Sequence, residues 1–182
     1  MIQTQTAEEL AKRGKDAYSR RDYKKAAEVY QAAAEAYTSY GDRLMAAEAA
    51  NNCSVAWLKL GNAQAALDAV KGTEAVFAEA GDVLRQGFAW GNQGSALEAL
   101  GRLEEAITAY EQSATLLKQA GETEMKLYVM ESLSELQFRT GRQLQALATM
   151  KAGLDGVKRP NPRQSLVKKI LEIPFDLLGG KK

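Results

Sequence analysis

Glu131 and Glu135 stand one helical turn apart, a spacing that suits half of a catalytic acid–base pair. Nothing supplies the other half. The chain has no histidine, so the usual general base, the usual partner of a nucleophile and the commonest metal ligand are missing. Residues 87–94, GFAWGNQG, lack the GxGxxG order of a nucleotide loop and fall inside an expected helix. Close contact between helices explains their glycines. The terminal LLGGKK has neither the Ser or Thr nor the following helix that a phosphate loop needs. Asn52-Cys53-Ser54 matches a glycosylation triplet but lies mid-helix. Cys53, on an apolar face, reads as a small core residue, and Trp57 and Trp90 as core aromatics. The expectation is therefore no enzyme, no cofactor and no metal. What remains is binding chemistry. Lys12, Lys15 and Lys59 can meet acidic groups. Asn52 and Asn92 each present a donor and an acceptor, and Tyr128 with Glu131 and Glu135 can receive a basic ligand.

The elements that must position these residues are set by glycine. Gly41, Gly81 and Gly121 form one evenly spaced ladder, and Gly61, Gly101 and Gly141 form a second that interleaves with it. Each ladder has a period of about 40 residues, and a glycine therefore recurs about every 20 residues, intervals typical of a stacked repeat. Each glycine is followed by a polar residue able to open a helix: Asp42, Asn62, Asp82, Arg102, Glu122 and Arg142. A glycine in the left-handed conformation commonly ends a helix, and Asp or Asn caps the next. Eight helices fit, over about 6–20, 22–40, 42–60, 62–80, 82–100, 102–120, 122–140 and 142–157. A full one has about 18 residues and runs roughly 27 Å. Two-residue connections force neighbours antiparallel. At the first turn Arg20-Arg21-Asp22 stands where glycine is expected.

Bulk composition agrees. The 182 residues suffice for one domain, and 46% hydrophobic content suits a folded soluble chain. The net charge of +1 asks for no nucleic acid. Residues 1–150 carry 16 Lys or Arg against 20 Asp or Glu, whereas residues 151–182 carry 8 against 3, so the C-terminal end is basic. One cysteine cannot form an internal disulfide, the N-terminal stretch lacks an apolar signal core, and no run approaches the roughly 20 apolar residues of a membrane span. A cytoplasmic protein with no stable membrane insertion is expected.

In register, the repeats show columns. Ala26, Ala66, Ala106 and Ala146 form one; Gly14, Ser54, Gly94 and Ser134 a second; Ala33, Thr73, Ser113 and Gly153 a third, all small. Large columns run beside them: Ala27, Leu67, Ile107, Leu147, and Tyr37, Phe77, Leu117, Val157. Small residues let helices approach, and large ones fill the space alongside.

These columns resemble the tetratricopeptide repeat (TPR) family. The third repeat matches best, with Trp90, Gly94, Leu97, Gly101, Leu103, Ala106, Tyr110 and Ser113. The second offers Ser54, Trp57, Gly61, Ala66 and Val70, the first Leu10, Gly14, Tyr23, Ala26, Tyr30 and Ala33, and the fourth Met130, Ser134, Gly141, Ala146 and Met150. The family's usual repeat has about 34 residues and often ends in proline. Here Thr38, Ala78, Lys118 and Lys158 take the proline place, and the chain resembles a longer-helix variant with a repeat of about 40 residues. The resemblance implies an all-α, right-handed TPR-like α-solenoid of four antiparallel helical hairpins plus a C-terminal capping helix. Its expected divisions are repeats at about 6–40, 41–80, 81–120 and 121–158, a capping helix at 159–173 and a tail at 174–182.

The resemblance also implies function. In related proteins the positions two before the second small column face the concave groove; here they are Lys12, Asn52, Asn92 and Ser132. The groove set is then Lys12, Lys15, Asn52, Lys59, Asn92, Tyr128, Glu131 and Glu135, an adaptor surface for a peptide or helix of another protein. Phe88 and Asn92 replace the third-repeat cations with which some members clamp a carboxylate. Lys12 at one end and Glu131 at the other polarise the groove. In the C-terminal segment, Pro160 and Pro162 end the eighth helix, and SLVKKILEI spaces Leu166, Ile170 and Ile173 along one side with Lys168 and Lys169 outside. The alternative to an adaptor is a homo-oligomeric assembly component that packs through end repeats and this tail.

Overall fold

The computed structural model describes residues 2–158 and 160–171. Helix makes up 82% and no strand occurs among the described residues. Among the described residues ten helices follow one another: α1 (Ile2–Ser19), α2 (Tyr23–Ser39), α3 (Arg43–Lys59), α4 (Ala63–Val70), α5 (Thr73–Glu79), α6 (Val83–Ala99), α7 (Leu103–Gln119), α8 (Thr123–Arg139), α9 (Gln143–Leu154) and α10 (Pro162–Leu171). The chain is an all-α, TPR-like solenoid of antiparallel helical hairpins.

Each of the regularly spaced turns works by the same chemistry. At the end of α2, Gly41 has φ +78°, and its N–H donates to the Thr38 carbonyl at 3.0 Å. The Asp42 N–H donates to the Tyr37 carbonyl at 3.0 Å, so two orphan carbonyls of α2 are satisfied. The Asp42 side chain then accepts from Met45 N at 3.0 Å and opens α3. One residue thus closes one helix and starts the next. Asn62 and Asp82 do the same. Arg102, Glu122 and Arg142 make the closing bond but cap nothing with their side chains. Arg has no acceptor to offer; Arg102 instead pairs with Glu105, and Arg142 with Glu104. At the first turn Arg21 itself takes the left-handed slot at φ 63°, and Asp22 N–H still reaches the Ala17 carbonyl at 3.0 Å.

The columns pack as their sizes require. Ala26, Ala66, Ala106 and Ala146 are completely buried. A Cβ on Gly14 would sit 2.8 Å from the Tyr30 ring, and one on Gly94 2.7 Å from the Tyr110 ring. In the same column Ser134 donates to the Ala146 carbonyl at 2.8 Å. Tyr37, Phe77 and Leu117 fill the space between hairpins. Each such burial stabilises by about 1.5–3 kcal/mol over exposure. Trp57 packs against both the first-hairpin cluster and the central core, and Trp90 against the central core.

Three expectations shift. The helix expected over 62–80 breaks at Lys71 and Gly72, where Lys71 turns extended and Gly72 takes φ +85°. The helix expected to reach 157 ends at Leu154, with Asp155 extended and Gly156 at φ +90°. The buried Lys126 ammonium closes that end by donating to the Ala152 and Asp155 carbonyls, each at 3.0 Å. Finally, α10 lies against α9, but Leu166 and Ile170 point outward while Val167, Lys168 and Leu171 are half-buried. Ile173 and the tail at 174–182 lie outside the described residues.

Candidate functional site

The first helices of the hairpins, α1, α3, α6 and α8, turn one side toward a groove made of three adjoining cavities. The central cavity, of about 440 Å³, has an apolar floor that includes Val55, Phe77, Leu84, Phe88, Leu117, Met125 and Val129. Its polar rim includes Glu48, Asn51, Asn52, Arg85, Asn92, Ser95 and Tyr128. A neighbour of about 230 Å³ shares Glu48 and Asn52 and adds Lys12 and Lys15. The other neighbour, of about 750 Å³, shares Tyr128 and adds Glu124, Glu131 and Lys158. Six of the eight residues expected from the sequence therefore line one continuous face. Lys59 and Glu135 are exposed and line none of the three cavities.

A hydrogen-bonded chain fixes the rim. Asn92 Nδ2 donates to Asn51 Oδ1 at 3.0 Å. Asn51, buried, donates in turn to Thr73 Oγ1 at 3.1 Å and to the Ala47 carbonyl at 3.2 Å. The Thr73 hydroxyl donates to the Val70 carbonyl at 2.8 Å, a group freed by the break between α4 and α5. The break is thus tied through Asn51 to the groove. Asn92 spends donor capacity inside the protein and keeps Oδ1 as an acceptor, while the Asn52 side chain makes no hydrogen bond to another described residue. Arg85 braces the same rim, with Nη2 3.1 Å from Glu48 and Nη1 3.1 Å from Asp82. These are half-exposed pairs that orient more than they stabilise.

The floor is set by close approach of α6 and α7. A Cβ added at Gly87 would meet Leu117 at 3.1 Å, and one at Gly91 would meet Ser113 Oγ at 3.1 Å. Ser113 donates to the Gly87 carbonyl at 2.7 Å. The glycines of GFAWGNQG thus serve helix contact, inside α6, as their spacing suggests. Burial drives the Tyr110 phenol well above its ordinary range; its hydroxyl lies 3.0 Å from Glu98 Oε2 and 3.2 Å from Ser95 Oγ. Burial also pushes the Cys53 thiol up to about 11, and its sulfur donates to the Ala27 carbonyl at 3.3 Å. A thiol so placed is no nucleophile near neutral pH.

Sequence reasoning missed Asn51, Glu48, Arg85 and the apolar floor. One signal was present: Arg85, Phe88 and Asn92 follow helical spacing, as do Glu48, Asn52 and Val55 and also Met125 and Tyr128. One turn back from Asn52, Asn92 and Tyr128 stand Glu48, Phe88 and Met125; Arg85 lies a second turn back, and Val55 one turn past Asn52. No comparable signal marks Asn51, whose partners Thr73 and Asn92 belong to other helices.

Hairpins stacked about such a face define the tetratricopeptide-like class of solenoid. Among solved structures the fold is similar to two crystal structures of MamA, a TPR-like protein. One aligns with a TM-score of 0.51 at 18% identity, covering 78% of this chain and 92% of that one. The second aligns with a TM-score of 0.50 at 19% identity, covering 96% and 98%. No protein-family model matches the chain, and no curated protein does. The likeness is one of fold. No described helix is long and apolar enough to cross a membrane.

Proposed function

We propose that this chain is a non-enzymatic, cytoplasmic scaffold, a longer-helix variant of the tetratricopeptide repeat, that holds a peptide or helix of a partner protein in its groove. The central cavity carries this reading. Its volume of about 440 Å³ lies within the roughly 300–1,000 Å³ of ligand-sized pockets, with an apolar floor and a few convergent polar groups. The rim is already ordered by Asn51 and Arg85, so little conformational freedom is lost on binding. The chain has no histidine to complete an acid–base pair with Glu131 or Glu135, which supports binding over catalysis. Replacing Asn52 and Asn92 together by Ala should abolish capture of the partner with helicity unchanged. Undiminished capture by that double variant would remove both amides from the site.

Self-association is the second reading, and one observation favours it. On α1 the outward positions Glu9, Arg13 and Asp16 are exposed and charged, whereas their counterparts in α3, Ala49, Cys53 and Ala56, are buried. The N-terminal end is therefore sealed by charge. At the other end Phe138, Leu144 and Leu147 are exposed, Leu144 by 74%. Light scattering decides this reading: a concentration-independent monomer excludes it.

A further inference from the structure

The groove differs from end to end in a way that specifies its ligand. At the α1 end Lys12 and Lys15 are exposed, and neither forms an ion pair with a described residue. Glu48 borders the same cavity, but its carboxylate faces Arg85 at 3.1 Å. At the α8 end Glu124 and Glu131 are exposed and likewise outside any ion pair among the described residues, of which Lys158 is the one cation lining that cavity. Between the ends lies the apolar floor of the central cavity. Charges that fold into no pair of their own cost least to satisfy with a ligand, and they act on orientation and partner choice.

We infer, resting on the groove reading above, that the ligand is a segment of a partner protein carrying three chemistries in fixed order: acidic side chains over α1, a large apolar side chain in the central cavity, and basic side chains over α8. The apolar anchor supplies most of the affinity, since a buried aromatic or aliphatic side chain dominates such contacts while rim charges add little. The charges exclude the segment laid the other way round. Asn52 offers both a donor and an acceptor to the backbone of the anchored stretch, and Asn92 Oδ1 offers an acceptor.

The test is selection of a random 12-residue phage-displayed peptide library on the full-length protein, followed by anisotropy titration of the enriched peptides. Enriched peptides should share an apolar residue flanked by acidic residues on one side and basic residues on the other. Lys12→Glu with Lys15→Glu should weaken them about three- to tenfold, and replacing the peptide's acidic residues by Ala should erase that difference. Both lysines are exposed, so the variant keeps the fold. Enriched peptides without a charge order, or a loss that persists after the acidic residues are removed, overturn this inference and leave the groove reading standing. If no peptide is enriched, or if those enriched still bind after Val55→Trp fills the central cavity, both fall.

Discussion

Gly94 and Tyr110 show how narrow the tolerances are at single positions. A Cβ at residue 94 would lie 2.7 Å from the aromatic ring, closer than packed carbons come. Both groups sit inside the contact between α6 and α7, so relief requires the helices to part. Gly94→Ala should therefore destabilise the protein by about 1–3 kcal/mol, read as a lower urea midpoint, although alanine is the better helix former. A neutral or stabilising result would mean that the two helices are not in this register. Asn51 illustrates the opposite kind of residue, one whose importance is chemical. It ties Asn92 at the rim to the buried Thr73 and the Ala47 carbonyl, and loss of its amide would leave the Thr73 hydroxyl oxygen without its donor in the interior.

Among the elements, the turns were the most legible part of the sequence, because everything that makes them is local. A left-handed glycine and an Asp or Asn after it suffice to close one helix and open another. Arg21 proves the rule by departing from it. The turn survives with an L side chain at φ 63°, at a conformational cost that glycine would not bear. Arg21→Gly should raise stability by about 0.5–1 kcal/mol after the extra freedom of the unfolded glycine is counted, seen as a melting temperature higher by about 1–4 °C. No change would mean that Arg21 does not hold that conformation in solution. The break between α4 and α5 was hidden because a mid-helix glycine costs only about 1 kcal/mol and need not end a helix. Here the Val70 carbonyl released by the break is met by Thr73, itself held by Asn51 from α3, and a contact so distant in the chain leaves no local mark. The groove was legible where it repeats, at Lys12, Asn52 and Asn92. It was not legible where five helices jointly build a floor.

For the molecule as a whole, burial of acidic protons links the core to pH. The Tyr30, Tyr37 and Tyr110 phenols and the Cys53 thiol are all shifted upward, chiefly by burial. A raised folded value means stability present below the unfolded value and lost as pH rises toward the folded one. For Cys53 the loss runs from about 9.0 to about 11, the unfolded thiol giving up its proton first. The urea midpoint should fall as pH rises from about 9 to about 11, and Cys53→Ala should flatten part of that fall; an unchanging midpoint would contradict the burial of these groups. The ends of the solenoid differ too, charged at α1 and apolar at Phe138, Leu144 and Leu147. The face between them carries the proposed function. Its most direct measurement is a calorimetric titration of a library-selected peptide into the protein and into its Val55→Trp variant, whose added ring occupies the central cavity. Affinity lower by at least tenfold, with the circular dichroism spectrum unchanged, is the predicted result. Equal affinity in the two proteins would mean that the partner binds somewhere else.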